Sequence, residues 1–463
     1  MMRITFITLF LLASLVATAQ DCDCMSEFDF TKNYYEANSP AFQKIKNTRK
    51  SYLKYLKEVK SVRRELKRSP LDCFLYLDKY IGLLKDHHSG LGYNLKRMDL
   101  TTNELIAKFI ESTEYRNFRK IQIDIVNLKA RLSKKEVSDV EGVYTNGGSI
   151  QVGILKKENT NDQYLGVVLK ETKLLATGHV LLELTELKGG EFMCTYNIGI
   201  LGFTPERITM KMSIKDGQMP DFGFSKVTDV QSVTELPYKF AKLNDSTNYL
   251  RLRSFDAEWV STLDSLYSSI DRELRSAPNL IIDIRNNGGG TEQGYFNLMP
   301  YIYTRPLKVD SVLVWVTPDN IQHYERSGNN QALVDRMKKA PPNSFIPLVE
   351  KGISYWKMDS VTTYPRKIAL LFNQGTASSA ESMISYCMQS DKVITIGENS
   401  GGYMGYGNVM TQTTPCGNFN LRCTTTKYHF NARYEYIGIE PMFKAKDSDD
   451  WVSLAETLLV TKK

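Results

Sequence analysis

The chain has 463 residues, of which 42% are apolar and 24% charged; 59 basic against 52 acidic side chains leave a formal net charge of +7. This is the composition of ordinary globular domains with a sizeable core, and the length calls for two or three of them. The positive excess is small and scattered, which argues against a nucleic-acid partner. No Cys/His spacing resembles a zinc site, so neither a metal nor a cofactor is expected.

At the N-terminus a single Arg3 precedes the apolar run 4–16, which is followed by Ala17-Thr18-Ala19. These are the parts of a secretory signal peptide, with cleavage expected after Ala19. The run is shorter than the roughly 20 apolar residues an anchor needs. No later stretch is long and apolar enough for a membrane helix. The expected location is therefore periplasmic or secreted, where the seven cysteines can form disulfides. Cys416 and Cys423 flank the turn-like Gly417-Asn418-Phe419-Asn420 and would bridge a hairpin, while Cys22, Cys24 and Cys73 supply a second bond.

From about 30 to 135, apolar residues recur three and four apart, as in Ala41 to Leu66, Pro70 to Leu84 and Thr101 to Leu132. That spacing predicts helices, and the Lys/Arg-rich stretch from Lys44 to Arg68 reads as a solvated helix face. Near Val140 the texture changes to short alternating segments separated by turn clusters such as Asn146-Gly147-Gly148, which predicts a small antiparallel β module. From Tyr249 onward, apolar strands such as Leu280 to Ile284 and Ile368 to Phe372 alternate with helical patterns, which predicts an α/β domain with a largely parallel sheet. The expected plan is a signal peptide over 1–19, a helical domain over 20–138, a β module over 139–228 and an α/β domain over 229–463.

Two strand ends carry chemistry. The strand Asn279 to Ile284 runs into Arg285-Asn286-Asn287-Gly288-Gly289-Gly290, where glycines let the backbone approach a ligand and turn amides towards it. A nucleotide loop does not fit, because no Gly-Lys-Ser/Thr follows. The strand Lys367 to Phe372 runs through Asn373-Gln374-Gly375-Thr376-Ala377 to Ser378-Ser379-Ala380-Glu381 at a helix start. A serine there sits in the positive field of the helix N-terminus, and the amide after it can bind an oxyanion. Thr376, Ser378 and Ser379 can equally be plain caps.

Asp283 to Gly290 resembles the "DLRNNPGG" segment of the tail-specific (C-terminal-processing) serine peptidases. Thr376 to Glu381 resembles their "SASASE" turn, and Tyr249 to Phe255 their "YIRLxxF" strand. The three occur in the family's order over residues 245 to 445. The resemblance implies a ClpP/crotonase-like α/β core and Ser378 as nucleophile, three residues before the motif's glutamate. The lysine base of the best-known members is missing: in Gly397-Glu398-Asn399-Ser400-Gly401-Gly402-Tyr403, Tyr403 takes its place, and an unperturbed phenol (pKa about 10) is a poor base at neutral pH.

The tricorn-like branch uses histidine in a "DGHTxL" motif, which Asp86-His87-His88-Ser89-Gly90-Leu91 resembles, with His87 where the motif has glycine. His88 is then the base and suits the task, with an unperturbed pKa near 6.5. The branch's orienting glutamate falls on Glu435, although Met442 stands where an aspartate is usual. The amides of Gly289 (Gly288 as alternate) and Ser379 would hold the oxyanion. No carboxylate-binding loop of a PDZ domain is found before the core. The expected activity is peptide-bond cleavage in a polypeptide substrate. The competing readings are an inactive relative that binds peptides or a cell-envelope component, and an acyl hydrolase acting on esters.

Overall fold

The computed structural model describes residues 22–461, apart from 69–72, 147–149, 188–189, 220–221, 228–235, 329, 351–353, 360 and 447–448. The expected signal peptide lies outside the described residues.

The α/β part is built on a six-stranded sheet in the order Tyr238–Lys242, Thr247–Leu252, Asn279–Asp283, Lys367–Phe372, Val393–Gly397 and Phe443–Lys444. The first pair is antiparallel and all the others are parallel. Parallel strands covered on both faces read as unbroken apolar runs, which is why the sequence shows no alternation here. Successive side chains still point to opposite faces. Leu250, Leu252, Leu280, Ile282, Leu370 and Phe372 pack on one face with the helices Val260–Ser269 and Ser379–Cys387. Tyr249, Ile281, Ala369 and Leu371 pack on the other with Trp451, Ala455 and Leu459 of the helix Trp451–Thr461.

The β module is one eight-stranded antiparallel sheet running from Gly142–Thr145 to Phe224–Lys226. The two outer strands of its order, Ile208–Ser213 and Gln218–Met219, are joined by a tight turn with a Lys215–Gln218 bridge. One face buries Tyr144, Ile154, Leu182, Phe192 and Phe224. The other buries Leu155, Leu165 and Val167 against Leu128 and Leu132 of the helix Ile125–Leu132. By packing, the helices after residue 100 side with the β module rather than with the N-terminal helices, because Phe109 and Tyr115 also enter its core.

The N-terminal helices Cys24–Asn38, Pro40–Lys46, Arg49–Arg68 and Cys73–Gly82 bury one stripe each. In Arg49–Arg68 the stripe is Tyr55, Val59, Val62 and Leu66, and most of the basic side chains face outward as the spacing predicts. The stripes meet Tyr406, Met410, Phe419, Leu421 and Cys423, which come from the other end of the chain. Those five belong to a long hairpin, Tyr406–Thr413 with Phe419–Tyr428. Its second strand also pairs with Gly90–Tyr93, so the turn after the fourth helix is pinned to the α/β part.

The disulfides bear out one expectation and correct the other. Cys24 is bonded to Cys73, which staples the first helix to the fourth. Cys416 and Cys423 are both free. Cys416 lies in the hairpin turn, while Cys423 is the fifth residue of its strand, cross-strand from Met410 and fully buried in the helical core. Cross-strand neighbours pair directly, whereas a turn residue and a residue four positions up the strand do not meet.

Candidate active site

The Ser378 turn is tight because two glycine-containing strand ends abut. Ser378 has φ 56° and ψ −121°, in a region that costs a non-glycine residue on the order of 1–3 kcal/mol. Three bonds hold it there. Thr376 Oγ donates to the Ile284 carbonyl (2.9 Å), and the Ala377 amide donates to the Asn287 carbonyl (2.9 Å). The Ser378 amide donates to Glu381 Oε2 (3.0 Å). Gly289 (φ +96°) closes the arrangement: a Cβ there would stand 2.6 Å from the Ala377 carbonyl oxygen and 2.9 Å from Ser378 Cβ.

Glu381 is fully buried and accepts four bonds. Besides the Ser378 amide, they come from Ser400 Oγ (2.5 Å) and the amides of Gly402 (2.8 Å) and Tyr403 (2.7 Å). One carboxylate thus fixes Ser378 and the loop carrying Tyr403 together. The sequence indicated this residue only as the end of a motif; its reach of about twenty residues down the chain is a tertiary fact. Asp283 is also fully buried and structural: burial would raise its pKa, but hydrogen bonds and charge from Arg285, with Arg251's charge, hold it below the usual carboxylate value.

The histidine turn is fixed by Asp86, which is buried and accepts from the amides of His88 (2.9 Å) and Ser89 (3.2 Å) and the hydroxyls of Ser89 (2.7 Å) and Thr424 (2.6 Å). Thr424 lies on the hairpin strand, so the pairing that pins Gly90–Tyr93 also pins His88. His88, Ser378 and Ser379 line one cavity of about 230 Å³, with Gly290 and Tyr403 in its walls. Burial lowers the pKa of His88, with Asp86 opposing, so the imidazole is neutral at neutral pH and able to accept a proton. A second cleft of about 590 Å³ adjoins this cavity and shares Glu292, Ser382 and Tyr428 with it.

Two expected residues stand differently. The Gly289 amide donates to Asn287 Oδ1 (2.9 Å), so its hydrogen is already engaged. Glu435 reaches the histidine turn but not the His88 ring. Its oxygens accept from the amides of His87 (2.9 Å) and Gly405 (2.6 Å), and burial pushes its pKa up to about 7. His88 Nδ1 is buried without a hydrogen-bond partner among the described residues. What faces the His88 ring is Tyr403, edge-on at 5.8 Å and 89°.

His87 is bracketed by the rings of Tyr403 (4.2 Å) and Tyr436 (3.7 Å), and its Nδ1 lies 2.9 Å from the Gly402 carbonyl oxygen. The residue that replaces the motif's glycine is thereby a structural filler. Neither it nor Asp86 stood out from the residues alone, because their partners come from beyond residue 400.

A strained serine at a strand-to-helix turn, a neutral histidine in the same cavity and a glycine-rich strand end behind them are the parts of acyl-transfer chemistry. Residues 246–444, which carry all of these except His88, match the family model of peptidase family S41. This segment belongs to peptidase family S41. The chain is accordingly a serine-type peptidase, a hydrolase whose substrates are polypeptides.

Among solved structures, the chain is similar to mature CPAF, with 12% identity over 91% of this chain and 92% of that one (TM-score 0.47). It is similar to the photosystem II D1 C-terminal processing protease, with 14% identity over 93% and 96% (TM-score 0.40). It is also similar to the tricorn protease, with 10% identity over 94% of this chain and 37% of that one (TM-score 0.35). Likeness this distant fixes neither a branch nor a substrate. No curated protein matches the sequence.

Proposed function

We propose that the chain is an exported serine endopeptidase of the tricorn-like, histidine-dependent kind, working from a ClpP/crotonase-like core in the periplasm or outside the cell. The observation that carries this reading is the meeting of Ser378 and His88, 290 residues apart, in one cavity beside the glycine-rich strand end. His88 takes the Ser378 proton as Oγ attacks the peptide carbonyl carbon and the carbonyl electrons move to oxygen. The same proton goes to the leaving amine, and water then hydrolyses the acyl-enzyme. Glu435 serves this site through the backbone of the histidine turn, as the acceptor of the His87 amide. The Ser379 amide, at the first helical position and so without an intrahelical acceptor, is a backbone donor available to the oxyanion.

A second reading keeps the fold and drops the chemistry: a peptide- or envelope-binding relative. What favours it is that Glu435 gives both oxygens to backbone amides and none to His88.

The test is labelling of the folded protein with a fluorophosphonate probe, followed by turnover of peptide against ester substrates. Label on the wild type that vanishes in Ser378→Ala and falls at least 10²-fold in rate in His88→Ala is the expected result, in line with what a general base contributes. A folded wild type that takes no label would leave the binding reading standing. Ester turnover without peptide turnover would move the chain to acyl hydrolysis.

A further inference from the structure

Ser379 follows the nucleophile at the first position of the helix Ser379–Cys387. It is 7% exposed and lines the same cavity as Ser378 and His88, and its Oγ is buried without a hydrogen-bond partner among the described residues. Serine inside a helix usually returns its hydroxyl to the carbonyl four residues back. Here that carbonyl belongs to Gly375, in the non-helical turn, and the bond is not made. A buried hydroxyl left without a partner is costly. A position that keeps one beside a nucleophile suits a ligand atom.

The oxyanion site itself supplies the second observation. The Gly289 amide, expected to bind the oxyanion, is engaged by Asn287 Oδ1 at 2.9 Å. Gly289 nevertheless packs against the nucleophile turn: a Cβ on it would lie 3.0 Å from the Ser379 nitrogen. Gly289 and the backbone of Ser379 thus lie side by side. The sequence differs from the "SASASE" turn at this very point, with serine at 379 where the motif has alanine and alanine at 380 where it has serine.

We propose that the Ser379 hydroxyl donates a hydrogen bond to the oxyanion formed when Ser378 attacks a peptide carbonyl, alongside the amide of the same residue. This rests on the reading of Ser378 as nucleophile. Ser379 transfers no proton: the Ser378 proton passes to His88, the new bond joins Ser378 Oγ to the carbonyl carbon, and the oxygen carries the charge that Ser379 stabilises.

The experiment compares wild type, Ser379→Ala and Ser379→Gly for kcat and KM on one peptide substrate, and for inhibition by a peptide boronate that mimics the tetrahedral intermediate. The expected result is a fall in kcat of about 10²-fold, the usual cost of one oxyanion donor. KM should stay within about twofold, and boronate binding should weaken by a factor similar to that in kcat. The glycine variant carries the same expectation should alanine impair folding. Unchanged kcat in the folded variants overturns the proposal while Ser378 labelling keeps the peptidase reading. A kcat loss with unchanged boronate affinity also overturns it, since that marks a merely structural role. A folded wild type that is inert overturns both.

Discussion

Burial does two different things to the ionisable residues around the cavity. It lowers His88, which keeps the imidazole neutral, and it raises Glu435 to about 7, which keeps that carboxyl partly protonated near neutrality. For Glu435 the folded value lies above the ordinary carboxyl value of 4.5. Its contribution to stability is therefore complete below pH 4.5 and is lost as pH rises through about 7. The gap corresponds to roughly 3 kcal/mol across that window, since each pKa unit is worth 1.36 kcal/mol. Glu435→Gln is neutral at every pH and should flatten that part of the profile. Denaturant unfolding of both proteins at pH 4.5, 6 and 8 checks this. Parallel profiles would show that Glu435 is ionised without penalty in the fold.

At the scale of elements, the nucleophile helix and the loop at 400–403 are joined by the single carboxylate of Glu381. Glu381→Gln keeps the size but turns one acceptor oxygen into a donor, facing amides and a hydroxyl that also donate. A buried donor left unpaired costs on the order of 1–3 kcal/mol, and more where a charged partner is lost. The expected outcome is a stability loss of about 3 kcal/mol together with a large drop in fluorophosphonate labelling of Ser378, because Ser378 and Tyr403 lose their common anchor. Stability by denaturant and labelling rate, measured on one preparation, decide it. Loss of stability with full labelling would mean that the turn holds its strained geometry without the clamp.

The hairpin Tyr406–Thr413/Phe419–Tyr428 is the element that makes one molecule of the two chain ends. It gives five side chains to the core of the N-terminal helices and a strand partner to Gly90–Tyr93, and Thr424 binds Asp86 under the histidine turn. The α/β half is consequently incomplete alone, although residues 246–444 suffice to mark its family. A chain starting at residue 229 should expose Tyr406, Met410, Phe419 and Leu421, bind a hydrophobic dye and take no fluorophosphonate label. Supplying residues 20–138 as a separate chain should quench the dye if docking is recovered. A fragment from 229 that is monomeric, dye-silent and labelled would refute both the shared core and the role of His88.

Much of this was legible in the sequence. Apolar runs with no alternation gave the parallel strands, since strands covered on both faces have no polar side. The β module showed its alternation, the basic helix its stripe, and Ser378 its place between a strand and a helix start. Local spacing carries such features because they depend on neighbours two to four residues away. The expected Cys416–Cys423 bridge failed for the complementary reason: which cysteines meet depends on strand register and on what packs below. The same holds for the functional site. The sequence by itself determined the serine turn between a strand and a helix and the glycine-rich strand end beside it. Only the tertiary structure decided that Gly289 spends its amide on Asn287, that Glu435 serves the His87 backbone rather than the His88 ring, and that Ser379 keeps a buried hydroxyl unpaired. Each of these turns on which donor lies within about 3 Å of which acceptor, and strand pairing and packing set that distance between residues far apart in the chain.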